Sequence, residues 1–482
     1  MNKLSSFWQA SQSALGKRTL YILVALILVR LISLGFYPLM DTTEARYGGI
    51  AKRMAEMNDW ITPWFDSGVP FWGKPPLSFW MSALGIKMFG LNEFAVRVPH
   101  FMMALIVVFI CYDWAKRSLI NPFYVVAILT TSLLFMVSSG AVMTDMALCL
   151  GSTLSFRGFW LSLYGVDRDK KREYWLFFIG LSLMLLAKGP IGWILVLLPI
   201  SLWALFTGSI KTTWQGLPWI KGSILAIVAA MPWYLIAEQH TPGFLNYFFI
   251  GEHWQRFTVS GWKGDLYGNA HATQRGTIWL HMVLSTLPWS IIFPVIAWVY
   301  RDKISANKIN KQAELSQYLL LAGFAPCLFF TMSGNILWTY VLPGLPTLAL
   351  YLAFWLRRLE QLLAKKMIYF GSILSLIIIV CALTLLTLGH KADNKSAKAI
   401  IALYQLQNSV QPIIFIGKSP FSAKFYNHRE VFSANTLKEI NVIAKNKPVY
   451  IAVRKVDLAK FKNQLVDLKF IGSGAEYRLY LK

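Results

Sequence analysis

Cysteine is scarce in this chain, and so is acid. The four cysteines among 482 residues, Cys111, Cys149, Cys327 and Cys381, stand one by one in apolar segments. Neither a disulfide framework nor a cysteine-rich zinc site is expected, and each is read as a small core residue. Acidic residues number 23 against 47 basic ones, a formal net charge of +24. The basic excess does not gather into one aromatic-interleaved patch, which argues against nucleic acid as a partner. The first apolar run lacks a small-residue cleavage site and leads straight into charged residues, so it is read as a retained span rather than a signal peptide.

What the chain has in abundance is hydrocarbon. It is 56% hydrophobic, with 20 Trp and 32 Phe, and its mean hydropathy is +0.48. Apolar runs at 19–38, 122–140, 191–207, 222–237 and 367–389 come close to the roughly 20 residues that a helix needs to cross a bilayer. Between them Lys and Arg cluster in short loops: Lys17 and Arg18, Lys116 and Arg117, the "GVDRDKKRE" loop, Lys211 and Lys221, Arg301 to Lys311, and Arg357 to Lys366. Cytoplasmic loops carry that excess. The alternation predicts about eleven spans, with the amino terminus in the cytoplasm and the carboxy terminus outside.

The expected fold is therefore an α-helical polytopic membrane protein over residues 1–391, of about 11–13 transmembrane helices, with a small α/β soluble domain over 392–482. External loops are expected at 39–78 and 238–275, with shorter external turns at Thr144–Asp145, at Lys188 and at the "SGN" of 333–335. Basic residues in the last segment outnumber acids by more than two to one, which reads as a solvated lysine face.

The segment "LMDTTEARYGG" then raises a question of cost, because Asp41, Glu44 and Arg46 crowd a membrane boundary. Such charges must face water, pair, or do chemistry. Residues 43–57 place Ile50, Met54 and Met57 at positions i, i+4 and i+7, the pattern of a short interfacial helix. Asp41 and Glu44 would then lie at its positive end. "FWGKPPLSFW" follows, with Lys74 held before two prolines among aromatics.

The stretch from "MDTTEARYGG" to "FWGKPPLSFW", and after it "VMTDMAL", "LAKGPIGW", "FLNYFFIGEHWQRF", "GDLYGNAHATQRGTIW" and "WTYVLPGLPTLAL", resembles the GT-C class of polyprenyl-phosphate-sugar glycosyltransferases. Relatives in that class include the bacterial transferase of aminoarabinose to lipid A and the protein O-mannosyltransferases. The resemblance covers about residues 20 to 355. It implies a GT-C fold and a polyprenyl phosphate sugar donor whose sugar and phosphate enter an external cavity while the prenyl tail stays in the bilayer.

The resemblance carries the catalytic carboxylate onto Asp41 or Glu44. Asp41 is favoured, Glu44 comes next, and Asp145 is a second acidic wall whose plainer reading is a helix cap. Measured back from Arg46, Thr43 and Glu44 occupy the places of the lipid A enzyme's adjacent acids. Arg46, Lys74, Lys188 and Arg256 are expected to bind the donor phosphate, although Lys188 could simply snorkel from a helix end. His253 matches a histidine that helps hold a divalent cation in the lipid A enzyme, but Gly73 replaces that enzyme's partner carboxylate, and Glu252 could substitute only by turning inward.

"DRD" at 167–169 imitates a nucleotide-sugar metal motif, but it lies in a basic loop without a Rossmann-like pattern around it and is read as a solvated charge run. A transporter or lipid flippase would place ionisable groups near the bilayer midplane, whereas here the acids gather in external loops. The expected activity is an inverting transfer of one sugar, an aminosugar or a hexose, from undecaprenyl phosphate to lipid A. Another glycan or a protein is the alternative acceptor. The expected place is the periplasmic face of a bacterial inner membrane. No cofactor is required by this reading beyond a possible divalent cation.

Overall fold

In the computed structural model, residues 13–299, 313–408, 410–444 and 447–482 are described, so the basic cluster at Arg301 to Lys311 lies outside the described residues. The first helix, α1 (Ala14–Ser33), is capped by Ser13, whose side chain accepts from Gly16 N. The helix expected over residues 43–57 forms as α2 (Thr43–Met57), with Ile50 and Met54 buried and Asn58 closing it in the left-handed conformation. Met57 does not join that face and is 60% exposed. The apolar face of α2 packs against protein, in one core with Phe71, Phe79, Tyr267 and Phe425.

By length and composition five helices among the described residues can cross a bilayer: α4 (Glu93–Arg117), Trp219–His240, Ala313–Phe330, Trp338–Arg358 and Gln361–Thr387. A sixth is the pair Thr277–Ser285 and Trp289–Val299 taken as one span bent by 85°. This is fewer than the eleven expected from loop charge. The difference lies in apolar helices too short to span alone, α3 (Leu77–Phe89), α5 (Pro122–Thr131) and Ile191–Phe206, and in helices that are long enough but carry charge. Those are α1, α6 (Asp145–Tyr164) and α7 (Asp167–Lys188).

Small residues bring α6 and α7 together, as in other membrane helix pairs. A Cβ on Gly180 would meet Gly151 O at 2.4 Å, and one on Gly158 would meet Glu173 O at 2.6 Å. At one end of this pair Arg157 bonds Asp113 at 2.7 Å and Glu173 at 3.0 Å. Arg117 meets Asp169 of the "DRD" run at 2.7 Å, so that run is part of a charge network. Asp145 and Lys188 stand at the opposite end. Cys111, Cys149 and Cys327 are buried as expected, but Cys381 is exposed on the outer surface of its helix, which corrects its reading as a core residue.

Strands β1 (Trp64–Asp66) and β2 (Val69–Pro70) form a short antiparallel pair. After Thr387 the chain enters a five-stranded sheet in the spatial order β4 (Val431–Ala434), β3 (Ile413–Ile416), β5 (Tyr450–Arg454), β7 (Tyr477–Leu481) and β6 (Lys469–Ser473). Strand β3, second from the edge, is buried at every position and pairs in parallel with β4 and β5. Strands β6 (Lys469–Ser473) and β7 (Tyr477–Leu481) complete it antiparallel. Continuous apolar runs such as "PIIFI" are what a sheet covered on both faces requires.

This domain docks on the segment that holds α2. Ser422 bonds Asp41, Lys424 pairs with Asp66, and Lys398 pairs with Glu93 at 2.5 Å. The Lys52 ammonium, 5% exposed, donates to the carbonyl oxygens of Lys424 and Asn427.

Candidate active site

Five elements converge on one cavity of about 760 Å³. Helix α2 contributes Thr43, Arg46 and Tyr47; the facing ends of α6 and α7 contribute Asp145 and Lys188; the segment 238–275 contributes Glu252, Arg256, Asp265 and His271; and the turn before residue 345 contributes Tyr340. A second volume of about 610 Å³ shares Lys74, Lys188, Glu252, Arg256 and Tyr340 with it and continues along Leu148, Ile191, Leu195, Phe257 and Phe330. A polar chamber thus opens into an apolar groove.

Asp145 is the first residue of α6 and Lys188 the last of α7, so each charge lies at the helix end that favours it. Their side chains meet at 2.6 Å, both about nine-tenths buried. The Lys188 ammonium also lies 4.3 Å from the centre of the Tyr340 ring, a cation–π contact. Lys188 is therefore a wall of the site rather than a snorkelling helix end.

Residues 247–255 form a π-helical turn, a geometry common at functional sites. It turns the Glu252 carboxylate inward, 2% exposed, onto Lys74 Nζ at 2.7 Å and Arg256 Nη1 at 3.0 Å. Burial alone would raise the Glu252 carboxyl, but Lys74 and Arg256 hold it down at about 2. Arg256 also reaches Asp265 at 3.5 Å. Asn335 of the "SGN" turn fixes this loop, its Nδ2 donating to Arg256 O and Val259 O at 2.6 Å each.

Arg46 Nη1 donates to Tyr267 O at 2.8 Å, and its guanidinium lies 5.2 Å from the Tyr47 ring and 5.8 Å from the Phe421 ring. Among the described residues the buried Nε atoms of Arg46 and Arg256 have no hydrogen-bond partner. Unpaired buried donors beside a cavity mark where an acceptor from outside would be held.

Two expectations for the acids are corrected. Asp41 does not line the cavity: its carboxylate accepts from the amide and the hydroxyl of Ser422, and burial raises its carboxyl above the ordinary value against those bonds. Glu44 does not line it either, because Arg97, fully buried, grips it in a bidentate pair at 2.8 and 2.7 Å. Burial would raise the Glu44 carboxyl, but that guanidinium lowers it. Arg97 spends its other donors on Leu34 O, Tyr37 O and Pro38 O, so the pair locks the bend between α1 and α2. Asp145, Arg46, Lys74, Lys188 and Arg256 are brought together as expected.

His253 is corrected too. Nδ1 lies 2.8 Å from Phe248 O and Nε2 3.1 Å from Lys188 O, so both ring nitrogens face backbone carbonyls rather than an open coordination position. Among the described residues no group of three or more His, Cys, Asp or Glu could hold a metal. A Cβ at Gly73, where a partner carboxylate was sought, would meet the Phe71 ring at 2.8 Å. The residues present do not fit a divalent ion.

Tyr340, Asp265, His271 and Asn335 were not singled out from the sequence as site residues. Three of them sit inside motifs that carried the resemblance, "GDLYGNAH" and "WTYVLPG", and that was the available signal.

A family model described as dolichyl-phosphate-mannose-protein mannosyltransferase matches residues 16–248. The undecaprenyl phosphate-alpha-4-amino-4-deoxy-L-arabinose arabinosyl transferase of Pseudomonas savastanoi is 29% identical over 342 residues, covering 69% of this chain and 60% of that protein. A second enzyme of that name from Pseudomonas fluorescens is 29% identical over 377 residues, 76% of this chain and 60% of its own length. The chain thus aligns with about 60% of the length of these curated relatives. In three dimensions it is similar to the crystal structure of ArnT from Cupriavidus metallidurans bound to undecaprenyl phosphate, with a TM-score of 0.77 at 18% identity over 97% of this chain and 98% of that one. The apo form of that protein gives a TM-score of 0.75. Sequence and architecture agree: the chain is a multi-pass membrane protein of the GT-C fold, similar in sequence to the undecaprenyl phosphate-aminoarabinose arabinosyl transferases and, over residues 16–248, to the protein mannosyltransferase family model.

Proposed function

We propose that this protein transfers one sugar from undecaprenyl phosphate to lipid A or another envelope acceptor, at the periplasmic face of a bacterial inner membrane. The observation that carries this reading is the meeting of four cations at the mouth of an apolar groove. Arg46, Lys74, Lys188 and Arg256 face Asp145, Glu252 and Asp265, which leaves one positive charge uncompensated. That charge suits a sugar phosphodiester, which carries a single negative charge, better than a diphosphate-linked donor. The groove along Leu148, Ile191 and Leu195 suits the first isoprene units of the tail, and the names of the relatives support undecaprenyl phosphate as its owner.

In this reading the donor phosphate is held by the free edges of Arg46 and Arg256 with Lys188 and Lys74, and Asp145 orients Lys188 and faces the sugar. Attack by the acceptor oxygen on the anomeric carbon expels the phosphate in one displacement and inverts that centre. Cations fixed beforehand stabilise the charge that develops on the leaving group. Mass spectrometry of lipid A and envelope glycans from cells with and without the gene tests the proposal. Loss of a pentosamine or hexosamine is the expected result; identical glycoforms in both strains would overturn it.

A further inference from the structure

The carboxylates expected to accept a proton are already engaged. Asp41 is held by Ser422 and Glu44 by Arg97, both outside the cavity. Within it Glu252 bridges Lys74 and Arg256, Asp265 accepts from Tyr267 N at 2.9 Å and meets Arg256, and Asp145 carries Lys188 at 2.6 Å. His271 differs from all of them. It lines the same cavity, is partly open to solvent, and its ring has neither a hydrogen bond nor an ion pair among the described residues.

Its position is built rather than incidental. His271 has a φ of 59°, left-handed backbone that a side-chain-bearing residue adopts at a cost and that tends to mark functional positions. That conformation is held from both sides: Ala270 is 5% exposed, Ala272 bridges to Asn335, and Thr273 N donates to Gly334 O at 2.8 Å. The "SGN" turn that anchors Arg256 therefore also aims His271. Within the cavity lining Asp145 and Lys188 are buried, whereas His271 is open to solvent on one side.

We propose that His271 is the proton acceptor for the incoming acceptor group, an assignment that rests on the transferase reading above. The acceptor O–H gives its proton to an imidazole nitrogen while its oxygen bonds to the anomeric carbon. The carbon–oxygen bond to the donor phosphate breaks, its electron pair leaves on the phosphate, and the imidazolium then returns the proton to water. The surroundings keep the imidazole ready for this step: burial, Arg256 and Arg46 hold it below its ordinary pKa, with Asp265 opposing them, so it is a free base at neutral pH.

The test uses membrane vesicles from the producing cells, which carry native donor and acceptor, with product followed by mass spectrometry from pH 5 to 9. His271→Gln should lower the initial rate at pH 7 by about 100-fold or more, the range of acid–base effects, and abolish the fall in rate on the acid side. Its detergent stability and its binding of undecaprenyl phosphate should match wild type. A His271→Gln rate within a few-fold of wild type, or an unchanged acid limb, overturns the assignment while leaving the transferase reading intact. Wild-type vesicles that make no gene-dependent product overturn both.

Discussion

The Asp41 carboxylate accepts a hydrogen bond from the Ser422 amide at 2.9 Å, across 381 residues of sequence. Because burial outweighs these bonds, its carboxyl titrates above the ordinary 3.8. A raised value means that the neutral form is favoured in the docked state, with that contribution present at low pH and lost as pH rises through the raised value. Asp41→Asn should therefore keep the domain docked and activity within a few-fold of wild type. Asp41→Ala should leave Ser422 unpaired, cost about 1–3 kcal/mol and speed limited proteolysis near residues 388–397. A 100-fold loss in Asp41→Asn with intact docking would restore Asp41 as the catalytic acid.

The buried Lys188–Asp145 pair predicts strong coupling. Removing one partner leaves a buried charge uncompensated, at about 3–5 kcal/mol. Lys188→Met should unfold at lower temperature than the Lys188→Met/Asp145→Asn double variant, and neither should transfer sugar. Additive losses in a double-mutant cycle would mean the pair is not formed in the membrane.

Glu252 sets a pH window. Its carboxyl is depressed from 4.5 to about 2, so its contribution is complete above pH about 4.5 and fades as pH falls toward 2. Wild type should unfold at higher temperature than Glu252→Gln at pH 7, and the gap should narrow between those two values. A gap independent of pH would exclude the ion-pair account.

Lys74 and the absence, among the described residues, of a fitting metal-ligand set give a fourth prediction. Lys74→Ala should raise the donor KM or abolish transfer, while EDTA should change the rate little. Full inhibition by EDTA, reversed by zinc or manganese, would require ligands outside those described.

Orientation is open to a direct assay. Alkaline phosphatase fused after Lys482 should be active and a cytoplasm-dependent fluorescent protein dark; the reverse pattern would move the cavity to the cytoplasmic side.

Composition made the membrane architecture legible, and motif order pointed to the GT-C class. The helix at Thr43–Met57 and the sheet built on "PIIFI" were readable because each rests on local periodicity. The cation set was readable because buried lysines and arginines are costly and therefore few. What local spacing could not show was which acid faces the cavity. Glu44 and Arg46 are two residues apart on one helix, yet Arg97 claims the first and the cavity the second. Likewise nothing near Asp41 forecasts Ser422, and His271 gains its role only from where Asn335 holds its neighbours.

Lys52 has a consequence for biogenesis. Its ammonium is satisfied by carbonyls of a segment that leaves the ribosome some 372 residues later, roughly 20–75 s at bacterial elongation speeds. Until that segment has been made, a cation on α2 lacks the carbonyls that satisfy it in the finished protein. Phe421, which flanks Arg46, arrives with the same segment. A half-made chain therefore lacks an aromatic partner of Arg46, and the cation set of the cavity takes its final surroundings only when the last domain has docked.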